Sequence, residues 1–311
     1  MDLTGLTFDD VLLRPQKGVL NSRSDADISS PLIGLSVPLI AAPMPSVAST
    51  NLLAEMARLG SYGVVHRMNR TAKEVISDYE NSHVMPPVAV GLNFFDFDAL
   101  YDYGCRTFFL DVAHAHSNRA IKFIKCVSTY PFAYLIAGNI ATAEAAHDLV
   151  DAGADGLKVG IGPGSVCTTR QVTGFGVPQL EAIQEVGSAV FDCGIPVIAD
   201  GGIRNSGDIV KALAAGADAV MIGSLFARSI EAGGLSHYGN ASHRVNGHNA
   251  PEGIEVNFET PAEPLKDIIK RLCWGIRSGI SYAGATNIKE LRDNAEWIKL
   301  TEAGRAESKL V

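Results

Sequence analysis

The chain has 311 residues, 47% of them hydrophobic and 19% charged, with 31 glycines and aromatics at only 7%, an ordinary α/β balance long enough for two modest domains or one α/β barrel of roughly 250 residues. A net charge of −8 and a pI near 5.5 leave no basic stripe to neutralise phosphates, so a nucleic-acid partner is not expected, whereas a single nucleotide at a local site is allowed. The five cysteines are scattered without a CxxC spacing, no apolar run nears the roughly 20 residues of a membrane span, and Met1-Asp2-Leu3-Thr4 carries no basic targeting stretch, so the expectation is a cytoplasmic protein without zinc, disulfides or a membrane segment.

Residues 1–36 read as a lead-in, after which short β-type runs ending in Gly or a polar residue alternate with stretches of helical periodicity. In chain order the spacing predicts strand Val37–Pro43, helix Leu52–Leu59, strand Tyr62–His66, helix Thr71–Asp78, strand Val88–Leu92, helix Asp98–Tyr103, strand Thr107–Val112 and helix Arg119–Thr129. It continues with strand Tyr134–Gly138, helix Thr142–Ala152, strand Gly156–Gly160, helix Val177–Phe191, strand Pro196–Gly201, helix Ser206–Ala215 and strand Ala219–Ser224. Such alternation predicts a closed parallel (β/α)8 TIM barrel in a single domain rather than an open doubly wound sheet. An internal echo supports it: Ala152-Gly153-Ala154-Asp155 and Ala215-Gly216-Ala217-Asp218 each lead into a four-residue run closed by glycine, at Gly160 and Gly223. Either copy alone reads as a common helix-to-strand turn. Beyond the barrel come a short flap over 236–256 and a C-terminal segment over 260–311. There Trp274 and Trp297 read as packing residues and Lys289–Lys309 as a solvated helix and strand-like end, while Arg204 and Asp208 read as caps of the helix after strand seven.

Barrel enzymes carry their chemistry on the loops after the C-terminal strand ends. Those ends are polar here: Ala42-Pro43-Met44-Pro45-Ser46 after strand one, Asp111-Val112-Ala113-His114-Ala115-His116 after strand four, Gly138-Asn139 after strand five, Asp200-Gly201-Gly202 after strand seven and Gly223-Ser224 after strand eight. Strand six leads into Gly160-Ile161-Gly162-Pro163-Gly164-Ser165-Val166-Cys167-Thr168-Thr169-Arg170. Glycines let that backbone bend and approach a ligand, and Ser165, Thr168, Thr169 and Arg170 supply donors around one thiol. An arginine and backbone N–H groups favour the thiolate, which suits a nucleophile; a buried structural cysteine is the alternative reading of Cys167 taken alone. The glycines after strands seven and eight, with Ser165 as a third anchor, predict a phosphate site and hence a phosphorylated substrate. His66, His114 and His116 fall on the same rim and read as hydrogen-bonding residues, since no carboxylate or cysteine completes a metal site around the His114-x-His116 pair.

With these residues in hand, the chain resembles the IMP dehydrogenase/GMP reductase family from Leu6-Thr7-Phe8-Asp9-Asp10-Val11-Leu12-Leu13 to Gly275-Ile276-Arg277-Ser278-Gly279. The most specific stretches are GIGPGSVCTTR at 160–170, GVPQL at 176–180, ADGGI at 199–203 and PEG at 251–253. The resemblance implies a purine nucleotide 5′-monophosphate substrate, NADPH or NAD as cofactor, a covalent cysteine adduct at purine C2 and a homotetramer. Carried over by position, it implies Cys167 as nucleophile, Thr169 as its catalytic neighbour, Glu252 as the purine-contacting glutamate, and Asp111 on the cofactor side with His114 and Asn139. It also implies Ser165, Asp200, Gly202, Gly223, Ser224, Tyr238 and Met44 around the substrate, with K+ a candidate at the carbonyls of Gly162, Gly164 and Cys167. The tandem CBS regulatory insertion of many dehydrogenases is not expected, because only about twenty residues separate His66 from Val88.

The direction of the reaction stays open at this point. Oxidising IMP requires a base that activates water against the adduct, which the resemblance implies comes from an Arg-Tyr pair on a long mobile flap. Here the stretch His243–Ala250 holds Arg244 followed by Val245 and no tyrosine. That, the Tyr238-Gly239-x-x-Ser242 phasing and the absent insertion resemble reductases, whereas Ala137–Glu144 and Asp200–Asp208 look more like dehydrogenases. The catalytic part outweighs these, since a missing base removes a chemical step. Met44-Pro45-Ser46 departs from the family's usual Met-Asp-Thr, so a modified purine nucleotide enters as a candidate substrate. The leading expectation is reductive deamination of GMP or a close analogue; the alternatives are IMP dehydrogenation, with Arg244 or His243 activating water, and a non-catalytic nucleotide-binding regulator.

Overall fold

Among the residues that the computed structural model describes, namely 3–30, 34–79, 85–234, 236–246, 251–258 and 262–308, eight short parallel strands form the centre. They are β1 Leu39–Ala41, β2 Tyr62–Gly63, β3 Val88–Val90, β4 Thr107–Asp111, β5 Tyr134–Ile140, β6 Gly156–Val159, β7 Val197–Asp200 and β8 Ala219–Ile222. Hydrogen bonds link them in the order β2-β1-β8-β7-β6-β5-β4-β3. The remaining gap is bridged where Val65 pairs with Val88: the Val65 N–H donates to Pro87 O and the Ala89 N–H to Val65 O, both at 2.9 Å. The sheet therefore curls onto itself as an α/β barrel, and each predicted strand contains an observed one except the fifth, which runs past the expected Gly138 to Ile140.

Strand alternation sorts the side chains into two layers. Ile40, Ala89, Phe109, Ile136, Ile198 and Met221 fill the barrel interior. Their neighbours, such as Leu39, Phe108, Leu110, Leu135 and Val197, belong to the larger core between strands and helices. That outer ring consists of α1 Thr50–Arg58, α2 Ala72–Tyr79, α3 Phe94–Tyr103, α4 Asn118–Val127, α5 Ala143–Asp151, α6 Gln179–Ala189, α7 Ser206–Ala214 and α8 Leu265–Tyr282.

Capping explains the boundary that sequence spacing misplaces most. The expected helix Asp98–Tyr103 begins instead at Phe94, because the Asn93 side chain accepts the Phe95 N–H at 3.2 Å and starts the helix there. The internal echo proves to be one joint used twice. Gly153 and Gly216 take φ of +99° and +125° past the ends of α5 and α7, a region that favours glycine. Asp155 and Asp218 then seat their carboxylates on the N–H groups of Leu135 and Val197, at 2.7 and 2.8 Å, each joining its strand to the one before.

The ends of the chain meet on one side. Val11–Leu13 pairs antiparallel with Trp297–Lys299, and Arg305 reaches Asp10 at 2.5 Å. The charged end is thus partly docked rather than wholly solvated, with Trp297 packed against the core. Trp274 corrects the expectation of packing, for it lies 53% exposed on the outer face of α8. Arg204 and Asp208 are not themselves the cap: Asn205 is, its side chain accepting the Asp208 N–H at 3.0 Å, while Arg204 pairs with Asp208 at 3.1 Å and also reaches Asp9. Residues 1–2 and 31–33 of the lead-in, 247–250 of the flap, and 260–261 and 309–311 of the C-terminal segment lie outside the described residues.

Candidate active site

The strand ends open into a cleft of about 780 Å³, within the range of nucleotide-sized pockets. Of the five cysteines only Cys167 lines it. Burial pushes the thiols of Cys105 and Cys273 up to about 12 and about 11, which suits structural roles.

The loop bearing Cys167 is held from within and from without. Within it, the Cys167 N–H donates to Gly164 O at 3.1 Å, and the Arg170 guanidinium donates to Ile161 O at 3.3 Å and Val177 O at 2.5 Å. Arg170 therefore ties the loop's two ends together instead of facing the thiol, which corrects the sequence expectation. From outside, residues 252–254 cross the loop: the Thr168 N–H donates to Glu252 O at 2.8 Å and the Ile254 N–H to Val166 O at 2.9 Å, while the Glu252 N–H is held by Ala241 O at 3.1 Å. The crossing is close enough to require glycine, since a Cβ on Gly253 would lie 3.2 Å from Gly239 Cα, Ser242 N and Val166 O.

This crossing delivers Glu252 to the thiol. Cys167 Sγ donates to Thr169 Oγ1 at 3.2 Å, and Thr169 Oγ1 donates to Glu252 Oε2 at 2.7 Å. Thiol, hydroxyl and carboxylate form a continuous path for a proton, with the nucleophile and a basic group in hydrogen-bond reach through one hydroxyl.

A second polar cluster grows out of the barrel interior. Leu157 and Val159 face the helices, so Lys158 between them points inward, where it is 1% exposed. Its Nζ lies 2.9 Å from Asp200 Oδ2 and 3.3 Å from Asp111 Oδ1 and donates to Asn139 Oδ1. Asn139 Nδ2 donates in turn to Asp200 Oδ2 at 2.9 Å and Gly160 O at 2.7 Å. Burial works to lower the Lys158 pKa, but the charges of Asp200 and Asp111 outweigh it and hold the ammonium above its ordinary value. Arg67 closes this corner, donating through Nη2 to Asp111 O at 2.7 Å.

Opposite lies the glycine rim. The register Asp200↔Met221 sets Gly201-Gly202 beside Gly223-Ser224, and all four line the cleft with Ser165. Met44 and His237 wall the rim over Gly223, where an added Cβ would meet Met44 Sδ at 3.2 Å and His237 Nε2 at 3.4 Å. His237 Nδ1 is 3.0 Å from Ser46 Oγ, and burial presses the imidazole down to about 4.

Most of the predicted residues are brought together: Cys167, Thr169, Glu252, Asp111, Asn139, Asp200 and Met44 line the cleft with the glycines and serines of the rim and with Gly162 and Gly164. Two predictions are corrected. Tyr238 lies outside the lining with its ring 4.4 Å from the Arg244 guanidinium, because strand Ser236–Tyr238 turns His237 inward. His114 is exposed at the rim, its ring 6.2 Å from that of His116, which pairs with Asp148 at 2.8 Å. His66 is half-buried outside the lining, and burial lowers it to about 4. Sequence reasoning missed Lys158, Arg67 and His237. A lysine inside the apolar run Gly156–Gly160 was a readable signal; nothing in the sequence around His237 marked it.

Likeness to known proteins bears on this arrangement. The chain matches the IMP dehydrogenase / GMP reductase domain over residues 5–247 and 235–310. It is 46% identical over 235 residues to inosine-5′-monophosphate dehydrogenase of Aquifex aeolicus and 41% identical over 238 residues to GMP reductase of Leishmania donovani, each match covering 68% of this chain and 48% of the relative. It is also 36% identical over 311 residues to GMP reductase of Streptococcus equi subsp. equi, covering 94% of both. The chain thus spans about half the length of the first two relatives and nearly all of the third.

Proposed function

The chain belongs to the IMP dehydrogenase/GMP reductase family, and from that premise we propose that it is a reductase of purine nucleotide 5′-monophosphates, converting GMP or a close analogue to an IMP-type product and ammonia with NADPH. The observation that carries the reading is the path Cys167–Thr169–Glu252, with links of 3.2 and 2.7 Å. In it, Cys167 Sγ attacks purine C2 and forms the C–S bond. Thr169 and Glu252 pass a proton to the 2-amino group, which leaves as ammonia when the C2–N bond breaks. A nicotinamide bound on the Asp111 side would supply hydride to C2, with Cys167 then leaving as thiolate. The overall balance is GMP, NADPH and two protons giving IMP, NADP+ and ammonium.

The reductase direction is supported by what the flap does. Arg244, the alternative water activator, pairs with Glu255 and lies over Tyr238, and neither it nor His243 lines the cleft. Among the described residues, no tyrosine does. On the cofactor side, the half-buried Asp111 carboxylate shares the cleft with Cys167 and offers an acceptor that fits the N–H of a nicotinamide carboxamide, while the Asn139 amide is spent on Lys158, Asp200 and Gly160. The fit for K+ is poorer, since Gly164 O already accepts the Cys167 N–H, and no step is assigned to it. A homotetramer in the cytoplasm completes the reading on family grounds; no helix among the described residues is long and apolar enough to cross a membrane.

The second reading, IMP dehydrogenation with NAD, is favoured by the 46% identity to a relative bearing that name. Nicotinamide absorbance separates the two. Loss of NADPH with GMP establishes the reductase; NADH formation with IMP, NAD and potassium overturns it. Silence in both, with GMP bound, leaves a modified nucleotide or the regulator. Cys167→Ala should abolish turnover and keep nucleotide binding, and retained turnover would refute the covalent scheme.

A further inference from the structure

Resting on that reading, and on the glycine rim as its phosphate site, we propose that His237 selects for the substrate's phosphate by donating Nε2–H to a phosphate oxygen above Gly223, with Ser46 as the positioning residue that fixes this tautomer.

Three observations carry it. First, His237 is only 3% exposed yet lines the cleft, with its Nε2 edge against the Gly223 backbone. Its one hydrogen bond among the described residues is the 3.0 Å contact between Nδ1 and Ser46 Oγ, which leaves Nε2 for a ligand. Second, the hydrogen-bond network assigns the tautomer. Ser46 is 5% exposed, and its Oγ accepts the Tyr238 N–H at 3.5 Å. Nδ1 is then the acceptor its buried hydroxyl needs, so the proton of a neutral ring sits on Nε2. Third, the basic side chains of the lining are engaged elsewhere: Lys158 with Asp111 and Asp200, Arg67 with the Asp111 carbonyl. A phosphate on the rim meets backbone N–H groups, the Ser165 and Ser224 hydroxyls, and His237.

A neutral donor suits this place. It adds a charge-assisted hydrogen bond without burying a second cation. Burial holds the ring neutral, at about 4, so its donor role does not depend on protonation near neutrality.

The test compares ligands with and without the phosphate. Calorimetric titration of the full chain with GMP, guanosine and ribose 5-phosphate is made on wild type, His237→Phe, which keeps the ring's bulk, and His237→Gln, which restores a donor. His237→Phe should weaken GMP and ribose 5-phosphate by about 10- to 100-fold and leave guanosine unchanged. In turnover it should raise KM with little change in kcat, and His237→Gln should recover part of the loss. Nitrogen NMR of labelled imidazole should show the Nε2–H tautomer in wild type and a mixture in Ser46→Ala. Equal losses for GMP and guanosine, unchanged GMP affinity, or an Nδ1–H tautomer in wild type overturns the proposal and leaves the reductase reading standing. Wild type that binds neither GMP nor ribose 5-phosphate overturns both.

Discussion

Replacing Lys158 by Met removes a cation and little volume from the barrel interior. In wild type, one ammonium lies 2.9 Å from Asp200 and 3.3 Å from Asp111, whose side chains are 21% and 12% exposed. The variant leaves these two carboxylates and the Asn139 amide oxygen converging on an apolar side chain. Breaking a buried pair by deleting one partner costs about 3–5 kcal/mol, chiefly because the surviving charge stays out of water. Two survivors place the expected loss at the upper end of that range, a large part of a total stability of about 5–15 kcal/mol. Urea unfolding followed by tryptophan fluorescence should show the midpoint falling with its slope unchanged. Adding Asp111→Asn should return about 1 kcal/mol or more, a coupling expected of residues in direct contact. A Lys158→Met loss under about 1 kcal/mol would refute the reasoning, since it would mean that water reaches both carboxylates once the lysine is gone.

Thr169→Val keeps the shape of the side chain and breaks both links from Cys167 to Glu252; kcat should fall by about 10²–10⁴-fold while calorimetry shows nucleotide still bound. Gly253→Val should lower activity at least as sharply, because its Cβ would press 3.2 Å from three backbone positions and push Glu252 away; thermal melting of the barrel should change far less. His66 and His237 each go from an ordinary 6.5 to about 4 on folding. The unfolded chain therefore binds more protons between those values, and stability should drop as pH falls from about 6.5 to 4. His237 alone accounts for about 3 kcal/mol of that loss, so the His237→Phe variant should show a shallower pH dependence of its melting temperature.

The barrel was legible because its signals are local and repeated. Each strand is a short apolar run with a polar or glycine exit, and the Ala-Gly-Ala-Asp joint recurs because the same carboxylate-to-backbone link is made at Leu135 and Val197. Cys167 was legible from its glycine-rich loop, whereas the catalytic roles of Thr169 and Glu252 entered only through the family resemblance of the stretches 160–170 and 251–253. What was not legible depends on direction. Arg170 looked like a partner of the thiol by adjacency, yet its reach is set by the carbonyls of Ile161 and Val177. Tyr238 and His237 are neighbours in sequence, and only strand alternation, after the hairpin Ser236–Tyr238 with Glu255–Asn257 has formed, decides which enters the cleft. Lys158 was passed over because its apolar neighbours made the run look uniform, when the parity of the strand makes the lysine the member that faces inward.

The segment bearing Glu252 is joined to the loop bearing Cys167 by a handful of backbone hydrogen bonds, whereas the barrel beneath is held by eight strands and a continuous core. Parting residues 251–254 from that loop is thus a smaller opening than global unfolding and has its own, lower free energy. Mild denaturant should then silence the chemistry while the barrel's optical signals stay native. Nothing covalent need change, and dilution should restore activity as fast as a short hairpin can close.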